Sequence, residues 1–451
     1  MKRPLPSRYQ PKEIIMRILS KDLQQHAGGH VLIQGWLHKK RLLGGLTFIN
    51  VRDRSGLTQV VLKDKDEVEK LRGLQIGTVL EVTGTVADEP RAPGGVELHD
   101  AKLTVMVPVT DEPPIEIDKP LSHKPENLDT LFDNRVIGLR NLQEQKIFKI
   151  RSELTRYIRE FLYQNDFVEI NTPKLVAGNA EGGAEVFKTD YFGQEATLAQ
   201  SPQLYKQIMV GVFERVFEIG PAFRAELSAT TRHVSEVTML DVEMGFIEGH
   251  DDVLNFLQDM VYSVLTRAYQ EHGEELKSLG APELKLKPKF PHYTMADIHK
   301  LYQEKTGKDM SKEIDLTPEE EKWICEYARE HGGCEAVFAT GLPDSKMKFY
   351  HMKGEEGSGT ARSADLLFRG IEISTVPQRE HRHENLIEQM KKAGVNPDAP
   401  GFAHYVAAFR HGLPPHGGFG FGIDRLTEKT IGLGNVKEAI LFPRDINRLA
   451  P

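Results

Sequence analysis

Cysteine is nearly absent from this sequence: two thiols, Cys325 and Cys334, occur in 451 residues. Two cysteines build neither a disulfide framework nor a zinc site, and such usage suits a reducing cytosol. Long apolar runs are missing too. No stretch approaches the ~20 residues that a membrane-crossing helix needs, and the polar N-terminus lacks the apolar segment of a secretion signal. A cytoplasmic protein without a membrane partner is the expectation. Charge of one sign is not in excess: Lys and Arg number 58 against 66 Asp and Glu, a net charge of −8, so overall charge gives no pointer to nucleic acid. Internal repeats and low-complexity tracts are absent, as are a Gly-rich P-loop and a G-x-G-x-x-G turn after a strand. What is there suffices for ordinary packed cores: 39% of residues are hydrophobic, and the length predicts two or three domains.

The stretch from Val216 to Phe246 organises the rest of the chain. It reads as a strand (Val216–Ile219), a turn at Gly220-Pro221, and a strand beginning Phe223-Arg224. A polar loop, Leu227–Thr231, then leads through Arg232-His233 to a second alternating strand carrying Asp241 and Glu243. Arg224 and Glu226 near the base of such a hairpin, with Arg232 and His233 returning from its loop, suit a nucleotide phosphate, because guanidinium forks hold phosphate oxygens bidentately. Alone, an Arg-rich hairpin reads first as a solvated face. Two further stretches weigh against that: Gly417–Leu426, a glycine-rich strand delivering Arg425 to the head of a helix, and Phe167–Pro173, a helix-to-strand junction ending in proline.

Residues 1–20 carry five basic side chains against Glu13 alone, either an arm that grips phosphates or a frayed solubilising terminus. Residues 21–108 show short alternating strands (His30–Trp36, Leu46–Arg52, Leu57–Leu62, Val79–Val86, Val96–Leu98, Lys102–Val107) with a helical break near Asp66–Leu74. That pattern fits a small closed barrel, of which the oligonucleotide-binding (OB) fold is the commonest. Phe48 either stacks on a base from the exposed face or is buried; His38, Lys39, Lys40 and Arg41 lie beside a loop for phosphate contacts. Proline- and charge-rich residues 109–140 read as a hinge. A second domain over 141–451 opens with a helix from Leu142 to Asn165 and carries a charged helical insertion at about 250–345. The loop Glu181–Glu185, with paired glycines, either closes over a cationic substrate group or is a surface turn. Glu372 beside Asp365 either shares Mg²⁺ with nucleotide phosphates or belongs to a salt-bridged sheet face.

Taken in order, Phe167–Pro173, Val216–Phe246 and Gly417–Leu426 resemble motifs 1, 2 and 3 of the class II aminoacyl-tRNA synthetases. The run Gly35-Trp36-Leu37-His38…Arg41…Gly44…Phe48…Arg52-Asp53-Arg54-Ser55-Gly56 resembles the anticodon-binding barrel of the aspartyl, asparaginyl and lysyl enzymes. From about residue 20 onward the chain resembles the archaeal-type aspartyl-tRNA synthetases. The resemblance implies an N-terminal OB barrel and an α+β catalytic domain on an antiparallel sheet, assembled as a homodimer through the motif 1 segment. It implies ATP and Mg²⁺, with Arg224 and Arg425 as the catalytic cations on the phosphates and Arg232 and His233 beside them. Glu226 would read adenine, with Phe223 or a neighbour stacked on the ring, and Glu372 and Thr375 would hold the metal. L-Aspartate would meet Glu181, Gln203, Lys206, Arg224, Asp365, Thr375 and Arg379. The central anticodon base would meet Phe48, Gln59 and Glu97. His38 and Pro93 match family members that charge both tRNA(Asp) and tRNA(Asn), whose mischarged product an amidotransferase completes downstream.

Three departures from the family pattern stand out: Leu227-Ser228 where Glu-His is usual, Val376-Pro377 where two glycines are, and Asp424 where Glu is. Two rivals are an asparaginyl-tRNA synthetase, in which two pocket cations would suit a neutral amide poorly, and a synthetase-like paralogue that does not charge tRNA.

Overall fold

The computed structural model describes residues 16–43, 46–123, 127–177, 186–228, 230–310 and 312–451, and the chain divides into two compact units. The first, Met1–Ser122 with Val136–Leu142, is built on a closed barrel of β1 (His30–Leu43), β2 (Leu46–Arg52), β3 (Leu57–Leu62), β4 (Val79–Asp88) and β5 (Val96–Val107) in the order β1-β2-β3-β5-β4. Helix α1 (Lys65–Arg72) follows β3; its Asp64 cap accepts from the amides of Asp66 and Glu67. Alternation drives the barrel: Val31, Ile33, Leu37, Ile49, Val51, Val60, Leu80 and Val82 all point into one core. The two strands expected over Val96–Val107 are one. Asp100, with φ 48°, and Ala101 bulge opposite Gly84, where the β4–β5 register shifts.

The second unit comprises His123–Arg135 and Gln143–Pro451. After the barrel the helices and strands run α2 (Leu128–Asp133), α3 (Arg135–Gly138), α4 (Leu142–Gln164), β6 (Val168–Glu169), β7 (Leu175–Val176), β8 (Lys188–Tyr191), β9 (Gln194–Leu198), α5 (Gln203–Phe213), β10 (Arg215–Phe223) and β11 (Glu236–Gly245), all in the second unit except α3 beyond Arg135 and the first residue of α4. There follow α6 (His250–Glu271), α7 (Gly273–Ser278), β12 (His292–Thr294), α8 (Met295–Thr306), α9 (Pro318–Gly332), β13 (Ala336–Thr340), β14 (Ser363–Phe368), β15 (Ile371–Pro377), α10 (His383–Lys392), α11 (Pro400–Arg410), β16 (His416–Gly422) and α12 (Ile423–Ile431). An eight-stranded sheet in the order β12-β13-β14-β15-β16-β11-β10-β6 forms the frame; the β10–β11, β11–β16, β15–β16, β14–β15 and β13–β14 pairs are antiparallel.

Two expectations need correcting. Gly220-Pro221 makes no turn: β10 runs unbroken from Arg215 to Phe223. Proline is tolerated because alternate residues on its side face away from β11, where β6 pairs only at Val216 and Phe217; no ladder bond there needs the missing N–H. Nor is 250–345 merely a helical insertion. Helix α6 packs Val253, Leu257, Met260 and Val264 into the main core beside Phe419 and Phe421, and β12 and β13 complete the sheet's edge. Only α8 and α9 pack as a satellite, around Ile298, Ile324 and Val337.

A buried ionic clasp joins the start of this unit to its C-terminal segment. Arg135, fully buried, donates to Glu144 at 2.7 Å and to the carbonyls of Glu438, Ile440 and Leu441. His123 bridges Glu144, at 2.6 Å, and Glu438. Burial opposes charge on this imidazole, but the hydrogen bonds to the two carboxylates win and push its pKa up to about 9. A folded pKa above the unfolded value near 6.5 means the clasp contributes in full below about pH 6.5 and is lost as pH rises through 9. Stability is therefore expected to fall by up to about 3 kcal/mol between those limits. Denaturant unfolding across pH 6–9.5 should show this loss in the parent and a flatter curve in His123→Gln; parallel curves would count against it.

Candidate active site and nucleic-acid face

One cavity of about 440 Å³ opens over the middle of the eight-stranded sheet. Its floor is β16. Gly418, Gly420 and Gly422 alternate with Phe419 and Phe421, whose rings are fully buried beneath. A Cβ on Gly418 would lie 2.0 Å from the Val242 carbonyl oxygen, so only glycine lets β16 approach β11 this closely. Asp424, at the head of α12, accepts from Arg151 of α4 at 2.7 Å and from the Thr238 amide of β11 at 2.8 Å. Helix α4 and two of the motif stretches, Val216–Phe246 and Gly417–Leu426, thus meet on one carboxylate, and the shorter Asp424 makes these bonds where the family pattern has Glu.

The cavity gathers Gln203, Arg224, Glu226, Arg232, His233, Glu372, Thr375, Arg379 and Arg425 from five separate segments of the sequence. At one end, Arg224 and His233 flank the Glu226 carboxylate at 3.9 and 3.7 Å. Arg232 donates to Glu321 at 2.6 Å and to the Gly370 carbonyl at 3.0 Å. Arg425 donates to the Glu372 carbonyl at 2.8 Å. Thr375 Oγ1 donates to Glu372 Oε1 at 2.9 Å, and Asp365 sits opposite Thr375 across the β14–β15 pair. Burial, and then the Glu372 charge, push the Asp365 carboxyl well above the usual carboxylate range; its buried Oδ1 has no hydrogen-bond partner among the described residues. At the other end, Arg379 is 2% exposed and is held through Nε and Nη2 by Glu243 at 2.9 and 3.1 Å. Burial opposes charge on Glu243, yet Arg379 and Lys206 hold its carboxyl below the usual range. Two of the five guanidinium donors are used in this way.

Several expectations change here. Lys206 does not line the cavity. Its ammonium, 1% exposed, is bonded to Asp241 and the Phe419 carbonyl, both at 3.0 Å, and lies 3.6 Å from Glu243. A buried ammonium must be compensated from within the protein, so it braces two carboxylates rather than meeting a ligand directly. Lys206 and Arg379 are matched by Asp241 and Glu243, which removes the expectation that surplus positive charge in the pocket rejects an amide. Asp365 likewise stands behind Glu372 rather than on the cavity wall, and Phe223 is absent from the lining, whose apolar members include Val234, Val237 and Met239. Glu181 lies outside the described residues. Of the departures, Val376 is fully buried in the main core and Pro377 lines the cavity; Leu227 is 79% exposed.

Sequence reasoning missed Asp241 and Glu243 as partners, Glu321, and the segment Lys346–His351, which also lines the cavity. The alternation of β11 carried a signal for the first two, since carboxylates at inward positions require cations. His351 carried none. Burial first, then the charges of Arg379, Lys348 and Lys206, hold its imidazole well below the ordinary pKa, so it is neutral at pH 7.

On the barrel, the outward face is Phe48, Asn50, Gln59 and Glu97, in register across β2, β3 and β5. Phe48 is half-buried on that face and is not in the core. Gln59 donates to Glu97 at 2.7 Å, and His99 meets the other oxygen of Glu97 at 2.7 Å. His38 is not an exposed phosphate contact. It is 8% exposed and occupies a bulge in β1, between Leu37 and Lys39. The bulge switches the side on which later residues emerge, so Lys39 and Arg41 stand opposite Asn50 and Phe48. Lys40 is taken up by the Leu71 and Leu74 carbonyls at the end of α1. Pro93 opens the short turn leading into β5 and Glu97.

The comparisons with known proteins agree with this geometry. Residues 127–446 match the family described as "tRNA synthetases class II (D, K and N)", and residues 31–106 match "OB-fold nucleic acid binding domain". The chain is 42% identical over 439 residues to the aspartate–tRNA(Asp/Asn) ligase of Thermus thermophilus, covering 97% of this chain and all of that protein. It is 41% identical to the aspartate–tRNA(Asp) ligase of Pyrococcus abyssi, covering 94% of this chain and 97% of that protein. Among solved structures, asparaginyl-tRNA synthetase from Pyrococcus horikoshii complexed with asparaginyl-adenylate aligns with a TM-score of 0.88 at 28% identity, over 97% of this chain and all of that one. With an OB barrel followed by an antiparallel sheet whose cavity joins three motif arginines, the chain belongs to the class II aminoacyl-tRNA synthetases of the aspartate, lysine and asparagine group.

Proposed function

We propose that this enzyme attaches L-aspartate to tRNA in two ATP-driven steps. The aspartate α-carboxylate attacks the α-phosphorus of ATP and releases pyrophosphate; the terminal ribose hydroxyl of tRNA then takes the aspartyl group and releases AMP. No protein nucleophile is required, so the protein's contribution is positioning and charge stabilisation. The observation that carries the reading is a single cavity with Arg224, Arg232 and Arg425 at one end and Arg379, pinned by Glu243, at the other. Arg224 meets the α-phosphate, Arg425 and Arg232 the distal phosphates with His233 beside them, and Glu226 the adenine edge. Arg379 takes the aspartate side-chain carboxylate; Gln203, and Glu181 from its loop, take the α-amino group. Lys206 acts from behind, through Asp241 and Glu243.

Mg²⁺ fits the oxygen set of Glu372 and Thr375, with Asp365 behind it. The Glu372 carboxylate and the Thr375 hydroxyl, both on the cavity wall, are hard oxygen donors that suit a cation keeping waters and phosphate oxygens as its remaining ligands. When bound it would offset phosphate charge. An aspartate rather than asparagine substrate is supported by identities of 41–42% to aspartate ligases against 28% to the asparagine enzyme. ATP–pyrophosphate exchange should run with aspartate and fail with asparagine; exchange with asparagine, or with neither, would reject the reading.

The same reading extends to both tRNA(Asp) and tRNA(Asn), with a homodimer formed through the motif 1 segment and an amidotransferase completing the mischarged tRNA. The two anticodons differ only in the third letter, so discrimination arises where the barrel meets that base. His38, buried in its bulge, shapes the wall bearing Lys39 and Arg41, and Pro93 leads into Glu97. Lacking an added contact to one base, the site levels the two affinities. Charging rates for the two purified transcripts are expected within a hundredfold of one another. A larger gap, above about 2.7 kcal/mol, would mean that the enzyme discriminates.

A further inference from the structure

We infer that Glu321, on helix α9, is a positioning residue for adenylate formation: it fixes Arg232 at the phosphate end of the cavity. The inference rests on the reading above that Arg232 meets the nucleotide. Arg232 follows the loop after β10, whose described residues carry no helix or strand; a main-chain bond from the Val436 amide to the Thr231 carbonyl ties it to the body. An arginine in such a place has no intrinsic orientation. Here two bonds supply one: Nη1 to Glu321 at 2.6 Å and Nη2 to the Gly370 carbonyl at 3.0 Å. They use two of the five guanidinium donors and leave the others for phosphate oxygens.

The support behind Glu321 is rigid. Helix α9 starts with Pro318 and a reciprocal Thr317–Glu320 capping box, and Glu320 is bonded to His299 at 2.6 Å. Ile324, Cys325 and Ala328 bury one face of the helix against Val337 and Leu367 of the sheet. Glu321 itself is 15% exposed, and the groups acting on its carboxylate are Arg232, Glu372 and Arg425, so it stands among the groups assigned above to the phosphates. Arg379 shows the same arrangement, a cavity arginine held from behind by a carboxylate that does not line the cavity.

Glu321→Ala is expected to raise the KM for ATP in pyrophosphate exchange about tenfold while the KM for aspartate stays within about twofold, the split expected when one charge-assisted hydrogen bond at the phosphate end is lost. Glu321→Gln, which retains an acceptor and nearly the same volume, should fall between the parent and Glu321→Ala. Arg232→Ala tests the underlying reading, and the double variant Arg232→Ala/Glu321→Ala should be no worse than Arg232→Ala alone, because Glu321 acts through that arginine. A normal Arg232→Ala enzyme would reject the nucleotide role of Arg232. A damaged Arg232→Ala enzyme beside a normal Glu321→Ala enzyme would overturn the positioning role alone. Equal rises in both KM values, or additive effects in the double variant, would also overturn it.

Discussion

Arg379→Ala is expected to cut aspartate-dependent ATP–pyrophosphate exchange by at least about a hundredfold and to destabilise the catalytic unit by about 3–5 kcal/mol, the usual cost of removing one partner of a buried ion pair. The reason for the second effect is specific. Glu243 is fully buried, and without its two bonds from Arg379 the ion pair that remains among the described residues is Lys206, at 3.6 Å. Loss of activity in that variant therefore mixes a missing ligand contact with a disturbed pocket. The double variant Arg379→Ala/Glu243→Gln separates them: with both charges of the pair gone, much of the stability should return while activity stays low. Arg379→Lys keeps the charge but not the planar fork, and a point charge cannot brace Glu243 and meet a carboxylate in the same geometry. ATP binding, measured by calorimetry, should persist in all three. Unchanged exchange in Arg379→Ala would place the aspartate end of the cavity elsewhere.

Glu372→Gln is expected to reduce adenylate formation by about 10²–10³-fold, the scale of losing one electrostatic stabiliser of a developing charge, with the fold intact. The substitution conserves size and removes one charge. Two consequences follow from the geometry. Thr375 keeps an acceptor within reach, since the amide oxygen replaces Oε1, so local packing should persist. Asp365 loses the neighbouring charge that, after burial, raises its carboxyl, so its pKa should move down toward the ordinary range. Single-turnover adenylate formation at low millimolar Mg²⁺ is the measurement; a normal rate there would put the metal site outside Glu372 and Thr375.

The active-site arginines illustrate a division of labour. Three of the four face the cavity with part of their donor set and are held by the rest: Arg379 by Glu243, Arg232 by Glu321 and Gly370, Arg425 by the Glu372 carbonyl; Arg224 only approaches Glu226, at 3.9 Å. Pre-orientation of this kind limits the entropy lost when a triphosphate or a carboxylate is bound.

The sequence by itself determined the start of β1, the strands Leu46–Arg52 and Leu57–Leu62, the α4 helix, and the segments that supply most of the cavity wall; it ended β1 at Trp36, seven residues short. These depend on local patterns: period-two alternation, helical spacing, and glycines alternating with Phe419 and Phe421. Tertiary structure alone decided the rest. Gly220-Pro221 is a turn signal in every local respect, and only the absence of a partner strand on one side lets it continue as β10. His38 reads as a loop-side residue beyond a strand ending at Trp36, whereas β1 continues to Leu43 and the bulge that buries His38 is set by pairing with β2. Lys206 and Arg379 look like two cations waiting for a substrate until β11 brings Asp241 and Glu243 beside them; compensation of buried charge is a non-local requirement that spacing cannot express. Glu321 is separated from Arg232 by 89 positions, within the region that the sequence presents only as a charged helical insertion. Only packing of α9 against the sheet carries it to the cavity.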